Sequence, residues 1–199
     1  ALCLATFEIA NWLPAVLIWW LKPWLDRVIL FVLSRAGFGQ STTVASVWRS
    51  SDVVLWRQLL HSLTLRRLSI RRSFTQPVYQ LEGLRGAARR ARLRILRQRG
   101  GGIAALLTGG FSTIETLLTI GLLSLLIWFA PPGDSPSLAS YFVGERAQFF
   151  ALAYAVCYAL VVLALEPFYV GAGFGLYLNR RVELEAWDIE QEFRRAFAH

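Results

Sequence analysis

Residues 103–129 read IAALLTGGFSTIETLLTIGLLSLLIWF, a run of 27 residues with one charged side chain, Glu115, near its middle. A helix needs about 20 mainly apolar residues to cross the hydrocarbon core of a bilayer. The run ends at Trp128-Phe129, and aromatic side chains are common where a membrane helix meets water. The stretch therefore predicts a transmembrane helix, and it decides the class of the fold.

Composition extends this prediction to the rest of the chain. Hydrophobic residues make up 55% of the sequence, above the roughly 45–50% of soluble domains even when glycine is counted there. Further apolar runs occupy residues 4–21, where Glu8 and Asn11 are the polar insertions, and residues 149–165. The surplus apolar surface requires lipid, so we expect an all-α, polytopic helical membrane protein.

Two prolines fall at the ends of apolar runs. Pro23 follows the first run and Pro167 follows the last. Proline lacks the backbone N–H and interrupts helices, so we expect Pro-broken helices at both places. Residues 24–35 are too short to cross the membrane again, which favours an interfacial helix there.

The two proline segments resemble each other. LKPWLDRVILFVLSR at 21–35 and LEPFYVGAGFGLYLNRR at 165–181 share the order charged residue, proline, aromatic residue, apolar stretch and arginine. Such an echo indicates two hairpins in parallel repeat. Lys22 and Glu166 then hold equivalent positions, and their opposite charges allow them to pair.

The distribution of basic residues predicts the orientation. Residues 22–100 hold sixteen Lys or Arg, whereas the loop 130–148 holds only Arg146. By the positive-inside rule, the Arg-rich insert and the C-terminus face the cytoplasm of a bacterial inner membrane. The first span then begins outside, and we expect an earlier helix before Ala1.

These patterns divide the chain into four parts. We predict a transmembrane helix plus an interfacial helix, an Arg-rich cytoplasmic insert with interfacial amphipathic helices, a transmembrane hairpin with an outer loop near 130–148, and a cytoplasmic amphipathic tail. Their residues are 1–35, 36–102, 103–179 and 180–199, respectively.

Charged and small residues inside the spans are the candidates for function or packing. A carboxylate at the depth of Glu115 suggests a proton or ion relay, but hydrogen bonds to neighbouring threonines or protonation give a structural alternative that we favour. Gly171 and Gly175 lie one turn apart and predict close helix packing. The complete set is Glu115, Glu166, Lys22, Pro23, Pro167, Gly171 and Gly175.

The segment 85–99, RGAARRARLRILRQR, combines arginines with an apolar stripe at Leu84, Ala88, Ala91 and Ile95. Binding to anionic lipid and pairing with the acidic tail are both open readings. Nucleic acid is the rival ligand, but the segment lacks aromatic residues interleaved for base stacking and its neighbours are predicted membrane spans, so we expect no nucleic-acid partner. The candidate contacts to lipid or to a partner protein are Arg85, Arg89, Arg90, Arg92, Arg94, Arg97 and Arg99.

Catalytic motifs are missing from the sequence, and its two cysteines and two histidines lie apart from one another. We therefore expect no catalytic residue, no metal site and no cofactor. The first hypothesis is a non-enzymatic membrane scaffold or accessory subunit of a larger assembly with membrane or cytoplasmic partners. The alternative is a transporter-like or proton-relay component that uses Glu115, which requires Glu115 to face a wet, polar cavity.

Three blocks carry a resemblance to a known group. KPWLDRVILFVLSR, QPVYQLEGLRG and EPFYVGAGFGLYLNRRVELEAWDIEQEFRR resemble blocks of uncharacterised proteobacterial inner-membrane proteins. The resemblance implies a membrane region, followed in longer relatives by a domain of unknown function, in gene neighbourhoods with MoxR-type ATPases and transglutaminase-like proteins. It carries over no catalytic residue.

Overall fold

The computed structural model describes residue 10 and residues 12–37, 39–50, 69–129 and 145–196, without the side chains of residues 99, 145, 146, 187, 188 and 190–196. These ranges form helices and no strands, which confirms the all-α prediction. The helices are α1 (Leu13–Ala36), α2 (Val44–Arg49), α3 (Arg72–Gln80), α4 (Gly86–Trp128) and α5 (Glu145–Ala196).

Two of the described helices contain segments that are long and apolar enough to cross a membrane. They are Gly100–Trp128 within α4 and Ala147–Ala186 within α5. The predicted span at 4–21 lies partly outside the described residues, and its remainder forms the start of α1. Most of the predicted outer loop at 130–148 also lies outside them.

The predicted interruptions at the prolines are not confirmed. Helix α1 continues through Pro23, and α5 continues through Pro167. A proline removes one backbone donor, but the hydrogen bonds on both sides and packing against other helices can hold a membrane helix together. Residues 24–35 are therefore the second half of α1 rather than a separate interfacial helix.

Helix α4 crosses the boundary that the sequence placed at residue 102. Its 43 residues correspond to roughly 65 Å at 1.5 Å per residue, about twice the thickness of the hydrocarbon core. The Arg-rich segment 85–99 is thus continuous with the candidate span that follows it. Leu93 and Leu96 of this extension join a buried cluster with Tyr177, and Leu184 packs against it, so α5 extends alongside α4 in the antiparallel sense.

Short helix α3 is the centre of the packing. Phe74 and Val78 are fully buried, and α3 contacts α1, α4 and α5. The position of α3 between α4 and α5 requires glycine at two places on these helices. A Cβ at Gly173 would overlap the Cβ, Oγ and backbone carbon of Ser73, and a Cβ at Gly100 would lie 2.8 Å from Phe74 Cζ. Glycines on α5 and α4 therefore let α3 sit between them.

Of the two glycines predicted to allow close helix packing, Gly175 lies against no neighbouring atom. A Cβ at Gly171 would make an ordinary contact with Leu33 Cδ1 at 3.8 Å, and Gly175 is exposed with no atom within 4 Å of such a Cβ. The close approach lies at Gly173 instead. The reason is that its partner, α3, belongs to the segment that the sequence assigned to a cytoplasmic insert.

Candidate functional site

One face of α1 presents both charged and apolar residues to the interior. Lys22, Asp26 and Leu30 follow one another at intervals of four residues, and Asp26 and Leu30 are buried. Residues four apart lie on the same side of a helix. Leu30 packs against Tyr169 and Val170 of α5, so the same face directs Lys22 and Asp26 towards α5.

Helix α3 supplies a cation to this face. Arg72 Nε lies 2.7 Å from Asp26 Oδ2, and Arg72 Nη2 donates to Glu166 Oε1 at 3.1 Å. Burial lowers the pKa of Arg72, but Asp26, Tyr169 and the other acidic groups nearby raise it, and the net pKa lies above its ordinary value. Arg72 is therefore a fixed positive charge that joins α1, α3 and α5.

Lys22 supplies the second cation and bridges two further carboxylates. Its Nζ lies 2.5 Å from Glu115 Oε2 on α4 and 3.1 Å from Glu166 Oε2 on α5. The predicted pairing of Lys22 with Glu166 is confirmed. Glu115, which the sequence presents as an isolated acid, shares the same lysine.

We call Lys22, Asp26, Arg72, Glu115 and Glu166 the charge cluster. With every member ionised it carries three negative and two positive charges, a net charge of −1. Asp26 Oδ1 accepts no hydrogen bond among the described residues, and Asp26 and Glu166 both contact the Arg72 guanidinium, Asp26 at Nε and Glu166 at Nη2. Two buried carboxylates on one guanidinium favour sharing a single proton over both being ionised.

Two cavities meet at Glu115. A cavity of about 220 Å³, which we call the charged cavity, is lined by Lys22, Arg72 and Glu166 together with Ser69, Thr108, Ser112 and Tyr169 among others. A second cavity of about 500 Å³, the aromatic cavity, is lined by Trp12, Trp19, Phe150, Tyr154 and Tyr158 among others. Glu115, Ser112 and Trp19 border both cavities. Glu115 thus borders one cavity lined by charged and hydroxyl groups and one lined mainly by aromatic groups.

A second polar contact joins α4 and α5 nearer the Arg-rich end. Tyr177 donates a hydrogen bond of 2.7 Å to Glu82 Oε1, and Arg92 Nε donates to the same carboxylate at 3.1 Å. Arg89 lies over the Tyr79 ring at 4.9 Å. Two of the candidate arginines therefore have partners within the chain, and Arg85, Arg90, Arg94 and Arg97 are exposed. The side chain of Arg99 lies outside the description.

Most of the predicted apolar stripe of this segment does not face the protein interior. Leu84 is half-buried and Ala88, Ala91 and Ile95 are exposed, whereas Leu93 and Leu96 form the buried contact. The sequence pattern predicts one apolar face of this segment, but a different face, that of Leu93 and Leu96, contacts α3 and α5. The tail acids whose side chains are described, Glu183 and Glu185, pair with Arg180 and Arg181 on their own helix rather than with the Arg-rich segment.

Three of the five cluster residues, Lys22, Glu115 and Glu166, are among the candidates that the sequence predicts. Asp26 and Arg72 are not among them. A signal for Asp26 was present in its spacing from Lys22. Pro23 is buried inside α1 and Pro167 is exposed on α5, each directly after a cluster residue.

Comparison with known proteins gives no match: no protein-family model matches the chain, and no curated protein and no solved structure is detectably similar to it. The resemblance to proteobacterial inner-membrane proteins therefore stays a prediction.

Proposed function

We propose that the protein is a non-enzymatic proton-relay component of a membrane, in which Glu115 exchanges a proton with the charge cluster. The observation that carries this proposal is that Glu115 lines both the charged cavity and the aromatic cavity. A sealed structural acid would instead be enclosed by helix contacts. The alternative that sequence reasoning ranked second is therefore the better supported one.

The charge balance of the cluster supports a bound proton. An uncompensated negative charge is costly in a poorly solvated interior, and one added proton brings the five groups to neutrality. Asp26 is fully buried and Glu166 is 2% exposed, so water solvates neither well. We place that proton on the Asp26–Glu166 pair because both carboxylates are buried and contact the same guanidinium, that of Arg72.

The setting of this relay is a polytopic bacterial inner-membrane protein. The two long apolar helices support a membrane location, and the basic residues of the α4 extension support a cytoplasmic position for that end under the positive-inside rule. In this arrangement the charge cluster lies within the helical bundle, and the paired ends of α4 and α5 project beyond the bilayer on the cytoplasmic side.

Proton flux in liposomes tests the proposal. Vesicles with the purified protein and an internal pH-sensitive dye receive an inside-negative potassium diffusion potential, and we expect faster internal acidification than in protein-free vesicles. Glu115→Gln should lose the flux because the amide carries no exchangeable acid proton. Glu183→Gln, which removes an exposed acid outside the cluster, should retain it. Acidification equal to that of protein-free vesicles would reject the relay.

A scaffold role has one specific observation in its favour. Ala88, Ala91 and Ile95 form an exposed apolar stripe on the part of α4 that extends beyond the candidate span, beside the exposed Arg90 and Arg94. An apolar stripe flanked by arginines suits a cytoplasmic protein with an acidic rim or an anionic lipid surface. A photo-crosslinker at residue 95 should then capture a defined protein or lipid, and a crosslinker at the buried residue 96 should capture neither.

A further inference from the structure

The aromatic cavity differs in chemistry from its charged neighbour. Its described lining includes five aromatic side chains and the carboxylate of Glu115, and it includes no lysine or arginine. The rings of Tyr154 and Tyr158 lie nearly parallel, at 9° and with centroids 6.1 Å apart. Tyr158 and Glu115 both line this cavity. The cavity thus places several ring faces around one negative charge.

This combination selects for a cation with an apolar surface. Aromatic faces attract ammonium groups through the ring quadrupole, and the attraction grows when the group is removed from water. The carboxylate of Glu115 in the lining supplies the matching charge. The volume of about 500 Å³ lies within the range of small-molecule sites, which is far larger than a bare metal ion requires.

We propose that the aromatic cavity binds a monovalent quaternary or alkylated ammonium group against Glu115, in exchange for the proton of the Asp26–Glu166 pair. The exchange part rests on the proposed proton relay. The binding part stands on the lining of the cavity.

Lys22 couples ammonium binding to proton release because it contacts two carboxylates. Lys22 holds Glu115 at 2.5 Å and Glu166 at 3.1 Å, so an ammonium group that takes over Glu115 leaves Lys22 with Glu166. Because Lys22 then contacts Glu166 alone, it stabilises the ionised form of Glu166. The proton of the Asp26–Glu166 pair leaves to water in the charged cavity. One positive charge enters and one leaves, which keeps the net charge constant. The titratable and charged groups around Glu166 are Lys22, Asp26, Arg72, Glu115, Tyr158 and Tyr169.

Calorimetric titration with choline tests binding. The wild-type protein in phosphatidylglycerol nanodiscs should bind choline and should not bind dimethylbutanol, the uncharged isostere in which carbon replaces the ammonium nitrogen. Equal binding of the two would overturn the proposal, and so would the absence of choline binding. Phosphatidylcholine nanodiscs distinguish the source of the ligand: weakened choline binding there assigns the site to a lipid headgroup, and unchanged binding assigns it to a soluble cation.

Matched variants connect the binding to this cavity. Glu115→Gln should weaken choline binding by about tenfold or more, as expected for loss of a partly buried charge partner, while Glu183→Gln should not. Tyr154→Leu should weaken it several-fold, while Phe168→Leu, at an exposed aromatic residue outside the cavity, should not. Because Tyr154 is 40% exposed, its variant remains informative if Glu115→Gln does not fold. Unchanged affinity in Tyr154→Leu would contradict the aromatic site.

Proton release separates this inference from the proton relay itself. Titrations in buffers of different ionisation enthalpy should report one proton released per choline bound. Binding without proton release would overturn the exchange. Proton flux in choline-free liposomes together with absent choline binding would reject the ammonium site and leave the relay standing.

Discussion

Gly173→Ala should destabilise the protein even though alanine is the better helix former. The added Cβ would overlap Ser73, including its backbone carbon, so α3 as a whole has to move away from α5. Overpacking typically costs about 1–3 kcal/mol, and a backbone obstacle places this site at the upper end. Alanine returns about 1 kcal/mol of helix propensity, which leaves a net loss of about 2 kcal/mol.

The matched control is two residues away. Gly175→Ala meets no atom within 4 Å, so it should keep the propensity gain and stabilise α5 by up to about 1 kcal/mol. Unfolding in mixed micelles, followed by circular dichroism, measures both variants against wild type. The reasoning is refuted if Gly173→Ala is as stable as Gly175→Ala, because the two changes differ chiefly in the contact with α3.

Three further predictions concern the charge cluster, the second polar contact and the orientation. Arg72→Met should destabilise the protein by about 3–5 kcal/mol, since it leaves buried acids without their fixed cation, and the unfolding midpoint in detergent measures the loss. Tyr177→Phe should cost about 1–2 kcal/mol in the same assay because Glu82 loses one donor and keeps another. A reporter fused after Asp134 should read outside and one fused after Gly100 should read cytoplasm; the reverse pattern would contradict the orientation.

Sequence reasoning succeeded where local composition determines the outcome. The apolar length of 103–129 is enough to predict a membrane helix, and that segment is helical throughout except for the turn at Phe129. Lys22 and Glu166 were paired correctly because their positions before the two prolines are visible in the chain. Both results depend on residues that are close together in sequence or in a repeated pattern.

The rest depends on contacts that no local pattern reveals. Arg72 is one of many arginines before Gly100, and it enters the charge cluster only because α3 is wedged between three longer helices. The position of α3 depends on Gly173, whereas the sequence pattern predicts close packing at Gly171 and Gly175. The segment containing α3 is strongly basic, so composition assigned it to a cytoplasmic insert, whereas burial of Phe74 and Val78 places it in the core.

Substitutions of the α4 arginines should differ in effect, according to the partner of each arginine and its distance from the candidate span. Arg92 bonds to Glu82, so Arg92→Gln should cost about 1.5–3 kcal/mol of stability in neutral detergent, and Arg90→Gln at an exposed site should stay within about 0.5 kcal/mol.

Arg97 lies within one turn of Gly100, where the candidate span begins, and Arg90 lies roughly 10 Å farther along the helix. That distance is comparable to the Debye length of about 8 Å at physiological ionic strength. Arg97→Gln should therefore weaken attachment to anionic vesicles by about 1 kcal/mol and Arg90→Gln by less. Equal losses in a vesicle co-sedimentation assay would mean that the extension lies along the membrane surface instead of projecting from it.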